Sequence, residues 1–336
     1  MTLRQKLGQM LMISFSGTSL SNQEAKLLRH FHPGGITIFG DNFASPSQLK
    51  ALDGSIQRQG HIPLFISVDQ EGGEVIRITR GVKQLPSESY YGQLNNAGRV
   101  YSDCSTEATQ IRKLGINMNL APVLDVASNP NSIMAQERRS FGPNANIDAS
   151  LGTAEIRAYQ HHGVAATAKH VLGLGVTSVN PETQLPTIRL SKAGLQNQLL
   201  PFRKAVSAHV DSIMVTHVLL PGITGAHTPA SLSYKVVTGL LRDQLHFGGV
   251  LMTDSLTMGS VSGHFGIATA SLMALQAGED VLLIAGGPVT WATANDVENR
   301  IIQASKGHPH ILGRVNASVT RILKLKKKLG LHLPTR

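Results

Sequence analysis

The sequence predicts an α/β protein, a single (β/α)8 barrel of the TIM type that spans residues 1–336. Eight short apolar segments alternate with segments of helical periodicity, and eight β-α units in series are the number that closes such a barrel. The segments are continuously apolar, as expected for parallel strands buried on both faces. The alternative, an open doubly wound sheet, expects a glycine-rich phosphate-binding turn after an early strand, and the sequence has none.

The eight units follow one another without a linker or a low-complexity segment. The strands, each a short apolar run, are predicted at residues 10–15, 35–39, 64–68, 118–124, 164–168, 212–215, 249–253 and 281–284. The helices, each with a periodic apolar face, are predicted at residues 22–31, 46–59, 105–114, 149–161, 192–209, 234–245, 265–277 and 291–305. A closing helix, periodic over residues 311–328, occupies the segment 311–330.

The composition is that of a globular protein, with 41% hydrophobic and 15% charged residues. A single cysteine, Cys104, excludes an intrachain disulfide. No apolar run is long enough to span a membrane, and the first residues do not resemble a signal peptide, so we expect a cytoplasmic protein.

The net charge of +10 leaves two interpretations, a solvated basic surface or attraction to an anionic partner. The densest basic cluster lies in the predicted closing helix. No aromatic interleaving or nucleic-acid motif accompanies it, so no nucleic acid is expected as a partner. The cluster consists of Lys324, Lys326, Lys327 and Lys328.

Polar residues follow the predicted strands at the end where a barrel carries its active site. Asp69 follows the third strand, Asp125 the fourth, Lys169 and His170 the fifth, and Asp254 the seventh. Such a mixture of acids and bases suits a polyhydroxylated ligand, whose hydroxyls need fixed donors and acceptors. Structural ion pairing of the lysine and a supporting role for the histidine remain open alternatives.

A carboxylate at a barrel mouth, such as Asp254, serves as a nucleophile, a base or a metal ligand, or else caps the next helix. A metal site is not indicated, because the histidines lack a paired spacing such as H-E-x-x-H.

The ordered motifs of the chain resemble those of the β-N-acetylglucosaminidases of glycoside hydrolase family 3, in the short single-domain bacterial form. The motifs are Pro33-Gly34-Gly35-Ile36, Val68-Asp69-Gln70-Glu71-Gly72-Gly73, Ala121-Pro122-Val123-Leu124-Asp125-Val126, Arg139-Ser140-Phe141-Gly142, Ala168-Lys169-His170, Thr216-His217-Val218, Pro229-Ala230-Ser231-Leu232-Ser233, Gly249-Val250-Leu251-Met252-Thr253-Asp254 and Ala277-Gly278-Glu279-Asp280.

The resemblance implies a retaining glycosidase in which Asp254 is the nucleophile. It implies no cofactor and no metal, and a carbohydrate substrate containing N-acetylglucosamine, such as the muropeptides of cell-wall recycling. The residues implied to bind the substrate are Asp69, Arg77, Arg139, Lys169, His170 and His217, the last as a support of the pocket.

The chain departs from the family pattern where the family carries its general acid/base. After Lys-His the pattern reads Phe-Pro-Gly-His-Gly-Asp-Thr, two variable residues and Asp-Ser-His, and the last histidine is the acid/base. Here Asn180, Pro181 and Glu182 stand for the final Asp-Ser-His. Leu174 and Val176 replace two polar residues. The Asp-His dyad is therefore absent. Glu74 also stands beside the Gly-Gly turn where the family usually has arginine.

Two interpretations of this loop follow. In the first, Glu182 is the acid/base, because a glutamate with a raised pKa protonates a leaving oxygen and then activates water. In the second, the loop has decayed, and the protein is a catalytically impaired sugar-binding relative. A third hypothesis is a family 3 hydrolase of other specificity, such as a β-glucosidase. The oligomeric state is not predicted.

Overall fold

In the computed structural model, which describes residues 1–331, eight parallel strands form a barrel. Their hydrogen-bonded order is β7-β6-β5-β4-β3-β2-β1-β8, and a parallel bridge between Met252 and Val281 joins β7 to β8. The predicted (β/α)8 barrel is confirmed. The strands are β1 (Leu11–Ile13), β2 (Gly35–Ile38), β3 (Phe65–Val68), β4 (Met118–Asn119), β5 (Ala165–Val171), β6 (Ser212–Val215), β7 (Val250–Thr253) and β8 (Leu282–Ile284).

The helices surround the strands and bury their apolar faces against them. A π-helix, Lys235–Gln244, lies between β6 and β7. The α-helices are α1 (Leu3–Met10), α2 (Asn22–Phe31), α3 (Pro46–Gln57), α4 (Glu88–Leu94), α5 (Ala97–Leu114), α6 (Ile133–Gln136), α7 (Ala145–His161), α8 (Lys192–Ser207), α9 (Pro221–Thr224), α10 (Gly259–Phe265), α11 (Ile267–Ala277), α12 (Trp291–Ser305) and α13 (Pro309–Lys328).

Several elements differ from the sequence prediction, and three of the differences affect the barrel or the site. Helix α1 was not predicted; it begins at a capping box, in which Thr2 and Gln5 bond each other's backbone N–H groups. Strand β4 is shorter than predicted, since Pro122 has no N–H to donate to the ladder. Strand β5 continues past its apolar part to Val171, so Lys169 and His170 lie within the strand rather than after it.

The closing helix α13 fastens the N-terminal end of the barrel. Its buried Lys326 donates a hydrogen bond to Gln9 Oε1 at 2.8 Å and lies 5.0 Å from the ring centroid of Phe65. Asp280, which precedes β8, accepts from Arg321 of the same helix at 3.1 Å. These contacts leave the opposite end of the barrel free for the loops that carry the polar residues.

Within residues 1–331, none of the helices has the length and apolar character needed to cross a membrane.

Candidate active site

A cavity of about 470 Å³ opens at the C-terminal end of the barrel. Its wall is built by the ends of the strands and by the loops that follow them. The structure brings together seven of the eight site residues that the sequence predicted, namely Asp69, Arg77, Arg139, Lys169, His170, Glu182 and Asp254.

Two cations of the cavity, Lys169 and Arg139, share one buried carboxylate, Glu71, which follows β3. Lys169 Nζ lies 2.6 Å from Glu71 Oε1 and 2.7 Å from Asp69 Oδ1. Arg139 donates two hydrogen bonds to the same glutamate, at 2.8 and 3.0 Å, and a third to Glu137 at 3.1 Å. These pairs fix both cations in position, because bidentate geometry restricts a guanidinium more than a single contact does.

The ion pairs overcome the cost of burial. Burial alone would raise the pKa of Glu71, but Arg139 and Lys169 bring that pKa well below its usual range. Burial likewise opposes the charge of Lys169, yet Asp69 and Glu71 raise the pKa of this amine. Glu71 and Lys169 are therefore both ionised at neutral pH, and Asp69, whose side chain is 18% exposed, faces the cavity beside them.

A second buried carboxylate, Asp125, organises the end of β5. Its Oδ2 accepts hydrogen bonds from the backbone N–H of His170 at 3.0 Å and from His170 Nδ1 at 2.8 Å. Its Oδ1 accepts from the backbone N–H of Leu174 at 3.0 Å. With Nδ1 donating to a carboxylate, the other ring nitrogen of His170 is left for a ligand.

Asp254 lies directly after β7, and its carboxylate is ionised. Oδ2 accepts from Thr216 Oγ1 at 3.1 Å, and Oδ1 accepts from the backbone N–H of Ser255 at 2.8 Å. Burial would raise the pKa of Asp254, but the neighbouring His170 and His217 outweigh it, and the pKa lies below its ordinary value. An ionised, oriented carboxylate of this kind is a competent nucleophile.

His217 lies behind Asp254 and is fully buried, so it is not part of the cavity wall. Its Nε2 faces the carbonyl oxygen of Ser255 at 3.0 Å, and its Nδ1 lies 2.6 Å from Ser231 Oγ. Burial lowers the pKa of His217 despite the nearby charge of Asp254. The role of His217 as a support of the pocket stays a prediction, and its contact with Ser255 suits that role because it holds the backbone beside Asp254.

Arg77 lies on the opposite side of the cavity from this support and carries its guanidinium 5.7 Å from the ring centroid of Phe39. Its backbone N–H donates to Gln70 Oε1 at 3.0 Å. Among residues 1–331 no carboxylate pairs with its side chain, and its buried Nε has no hydrogen-bond partner. Arg77 therefore has donors free for a ligand.

The loop between β5 and α8 is fastened along its length. Its first part packs on the loop after β4, where a Cβ on Gly175 would lie 2.1 Å from the carbonyl oxygen of Val126. Its far end pairs with the loop after β6, since Ile188 N–H donates to the carbonyl of Leu219 at 2.8 Å. Between these anchors, the tip places Glu182 against the cavity.

Asn180 shapes the turn at this tip and does not contact the carboxyl of Glu182. Its Oδ1 accepts from the backbone N–H of Glu182 at 2.9 Å, and its carbonyl accepts from Gln184 N–H at 3.0 Å. An asparagine that closes such a turn with its side chain is common in loops.

Glu182 is exposed on its outer side, yet it lines the cavity and its pKa is raised above its usual value. Partial desolvation is the largest cause, and the negative charge of Asp254 adds to it. The cavity thus contains two carboxyls whose pKa values are displaced in opposite directions, which is the signature of an acid and a nucleophile.

A family model described as the glycosyl hydrolase family 3 N terminal domain matches residues 2–325. The chain belongs to glycosyl hydrolase family 3.

Several relatives of this family 3 chain have names that state an activity. It is 32% identical to a beta-hexosaminidase of Thioalkalivibrio sulfidiphilus, over 85% of this chain and 83% of the relative. It is 30% identical to beta-hexosaminidase A of Pseudoalteromonas piscicida, over 98% of this chain.

Solved structures give the same result for the fold. A family 3 beta-N-acetylglucosaminidase from Paenibacillus sp. str. FPU-7 superposes with a TM-score of 0.94 at 36% identity, over 98% of this chain. A beta-N-acetylhexosaminidase from Beutenbergia cavernae superposes with a TM-score of 0.89 at 25% identity, over 97% of this chain and 99% of that one. The present chain spans only 62% of the Pseudoalteromonas relative and 63% of the Paenibacillus protein.

Sequence reasoning missed three residues of this family 3 site. Glu71, Asp125 and Thr216 were noticed at the ends of predicted strands but were not predicted as site residues. Glu71 and Asp125 each stand within a motif of the family resemblance, and that position was the available signal. Their partners come from other strands, so the pairing itself is not readable from the sequence.

Proposed function

We propose that the chain is a retaining glycoside hydrolase that releases terminal β-linked N-acetylglucosamine from glycans. One observation carries the proposal: Asp254 and Glu182 line one cavity, the first with a lowered and the second with a raised pKa. A pair of carboxyls in these two states is the machinery of most glycosidases. The names of the relatives and of the structural neighbours support the sugar specificity.

In the proposed mechanism Asp254 attacks the anomeric carbon and forms a glycosyl-enzyme ester. Glu182, initially protonated, gives its proton to the glycosidic oxygen as the bond to the leaving group breaks. The resulting Glu182 carboxylate then removes a proton from water, which attacks the ester and releases the sugar and free Asp254. The proposed steps use only the two carboxyls and water.

The remaining polar residues suit the binding of the sugar ring. Asp69 offers a carboxylate oxygen to hydroxyls, while Lys169 and Arg77 offer hydrogen-bond donors. His170 offers its second ring nitrogen. Because Glu71 holds Lys169 and Asp125 holds His170 before substrate arrives, the entropy cost of ordering these two side chains on binding is small.

The first test is hydrolysis of aryl N-acetyl-β-glucosaminides by the Asp254→Asn variant. We expect a fall in kcat/KM of at least about 10³-fold, since loss of the nucleophile removes the covalent route. Thermal unfolding of the variant shows whether the fold is retained. A folded variant with wild-type turnover would refute the assignment of Asp254.

The second test is Glu182→Gln, compared on substrates with good and poor leaving groups. We expect a loss of about 10²–10⁴-fold with an alkyl or sugar leaving group, which needs a proton, and a much smaller loss in the glycosylation step with a dinitrophenyl group. Equal, small losses on both substrates would show that the glutamate takes no part.

The missing Asp-His dyad favours one competing function, a sugar-binding protein with impaired catalysis. Calorimetry with N-acetylglucosamine oligomers separates the two, because binding without turnover by the unaltered chain supports the binding protein. Faster turnover of aryl β-glucosides than of the N-acetylated substrates would instead support the β-glucosidase alternative. Muropeptides as the natural glycans and a cytoplasmic location stay predictions.

A further inference from the structure

The tip of the loop between β5 and α8 rests on the first turn of α10, the helix that follows Asp254 and β7. The backbone N–H of Gly259 donates to the carbonyl oxygen of Glu182 at 2.9 Å. The backbone N–H of Ser260 donates to the carbonyl oxygen of Pro181 at 3.3 Å. The loop that carries Glu182 is thus joined to the element that carries Asp254.

These two hydrogen bonds serve the helix as well as the loop. The first N–H groups of a helix have no partner within it, and a side chain of the preceding residue usually satisfies one of them. The residue before α10 is Met258, which makes no side-chain capping bond. The loop carbonyls occupy that role, so displacement of the loop would leave the start of α10 without partners.

The contact requires glycine at position 259. A Cβ built on Gly259 would lie 2.9 Å from the carbonyl oxygen of Glu182 and 3.2 Å from that of Thr183. The first distance is shorter than real Cβ contacts, and both neighbours are backbone atoms that cannot rotate away. Gly263 of the same helix is different, because a Cβ there meets no atom of residues 1–331 within 4 Å.

The contact between the backbones of Glu182 and Gly259 is important because no neighbouring side chain of residues 1–331 bonds the Glu182 carboxyl and orients it. Within residues 1–331 no hydrogen bond reaches its carboxyl, and the side chain of Asn180 is committed to the turn. The carboxyl is therefore located by where the backbone of the tip is held. That backbone is held by its turn and by Gly259 and Ser260.

We propose that Gly259 is a positioning residue for Glu182: its bare backbone is the seat that holds the acid/base loop beside the nucleophile. The inference rests on the proposed function, in which Glu182 donates the proton. The Gly259 backbone takes the place of the aspartate of the Asp-His dyad that this sequence lacks. It fixes the backbone of Glu182, whereas an aspartate partner would fix the acid/base side chain itself.

The test compares Gly259→Ala with Gly263→Ala on the two classes of leaving group. We expect Gly259→Ala to lower kcat/KM for a sugar leaving group by about 10- to 100-fold, the cost of a misplacement near 1 Å. With a dinitrophenyl leaving group, glycosylation should change by less than about threefold, since it needs little proton donation. Gly263→Ala should match the wild type on both substrates.

Azide distinguishes loss of the acid/base from general damage. When Glu182 no longer activates water, azide attacks the glycosyl-enzyme ester directly, giving glycosyl azide and free Asp254. We expect azide to accelerate turnover of the dinitrophenyl substrate by Gly259→Ala, as by Glu182→Gln, and not by Gly263→Ala. In the double variant, Gly259→Ala should add no loss to that of Glu182→Gln, because both act through one group.

The outcomes separate the two proposals. If Glu182→Gln shows neither leaving-group dependence nor azide rescue, the proposed acid/base is wrong. If Glu182→Gln shows both while Gly259→Ala behaves like Gly263→Ala, or loses activity equally on both substrates, the seat is overturned and the proposed function stands. If Gly259→Ala does not fold, hydrogen exchange of the wild type decides: rapid exchange of the Gly259 and Ser260 amides would contradict the seat, and protected amides support it.

Discussion

At the scale of single residues, the site depends on how one cavity holds two carboxyls in different protonation states. Asp254 is surrounded by donors and by His170 and His217, and its pKa falls. Glu182 lines the cavity and, within residues 1–331, no cation is bonded to it; desolvation together with the charge of Asp254 raises its pKa. Because these environments differ, an acid and a nucleophile coexist at one pH.

This arrangement predicts a bell-shaped pH profile of kcat/KM for a substrate with a sugar leaving group. Activity falls on the acidic side as Asp254 gains a proton, and on the basic side as Glu182 loses its proton. The raised pKa of Glu182 moves the basic limb to higher pH than an ordinary glutamate would give. In Glu182→Gln the residual activity should lack that limb.

Glu137→Gln is the matched control, because Glu137 is another exposed acid of the cavity wall. Its basic limb should remain where the wild type has it. If the fall in activity at basic pH persists in Glu182→Gln, the group that titrates there is not Glu182.

The residues of the site divide into those that a sequence reveals and those that it does not. Asp69, Lys169 and Asp254 were predicted because a charged residue ends or interrupts an apolar run. The role of Gly259 was not predicted, since its importance lies in a contact with a loop distant in sequence. His217 was predicted at the right strand end, but its burial behind Asp254 depends on packing that the sequence does not state.

At the scale of elements, the segment after β3 determines the charge of the cavity. Glu71 is 1% exposed in its side chain and bonds two cations that come from the loop after β4 and from β5. Gly72 and Gly73 both have positive φ, of 96° and 58°, and this turn directs the acids inward. The two glycines predicted a tight turn, but the sequence did not show that Glu71 pairs with Arg139, which lies in another loop.

Glu71→Gln should destabilise the protein by about 3–5 kcal/mol, because it leaves two buried cations without their shared partner. The sign of the pH dependence follows from the lowered pKa of Glu71. Stability from this carboxylate is fully present above the ordinary glutamate pKa and is lost as pH falls through the lowered one. Urea unfolding at neutral and acidic pH measures both effects, and the difference between variant and wild type should shrink in acid.

Glu137→Gln is again the control, because Glu137, whose side chain is 45% exposed, is the outer partner of Arg139. Its cost should stay below about 1 kcal/mol. Equal costs for the two variants would mean that the Glu71 pairs contribute no more than a surface contact.

The elements themselves were predicted with few errors in type, because eight continuous apolar runs have few alternative arrangements. The errors lie at boundaries and in helices that were not predicted, such as α1 and α4. Polar residues were taken to end β5 at residue 168, but backbone pairing does not depend on side-chain polarity, and Val171 still pairs with Val215.

At the scale of the whole molecule, the basic residues that give the net charge of +10 do not all lie on the surface. The densest basic cluster of the sequence is divided by α13: Lys324, Lys327 and Lys328 are exposed, but Lys326 is 1% exposed and points into the barrel. Lys328 also pairs with Asp211 at 2.6 Å. Helical periodicity places Lys324 and Lys328 on the side of the helix opposite Lys326, but Lys327 lies only about 100° from it. The burial of Lys326 therefore could not be predicted from the sequence.

Lys326 predicts a pH dependence of stability for the whole chain. Burial lowers its pKa from 10.5 to about 7. Between these values the unfolded chain binds a proton that the folded chain does not, so stability rises as pH increases from about 7 to about 10.5. Below that range the folded protein carries a buried cation, which contacts Gln9 Oε1 and the face of Phe65.

Lys326→Met should therefore stabilise the protein at pH 7 by at least about 1 kcal/mol, because an apolar side chain of similar length replaces a buried charge. The rise in stability between pH 7 and 10 should also become smaller than in the wild type. Lys327→Met, one residue along the same helix and exposed, is the control and should change stability by less than about 0.5 kcal/mol. Denaturant unfolding across this pH range measures both quantities. A Lys326→Met protein that is less stable than Lys327→Met at pH 7 would show that the bonds to Gln9 and Phe65 outweigh the cost of burying the charge.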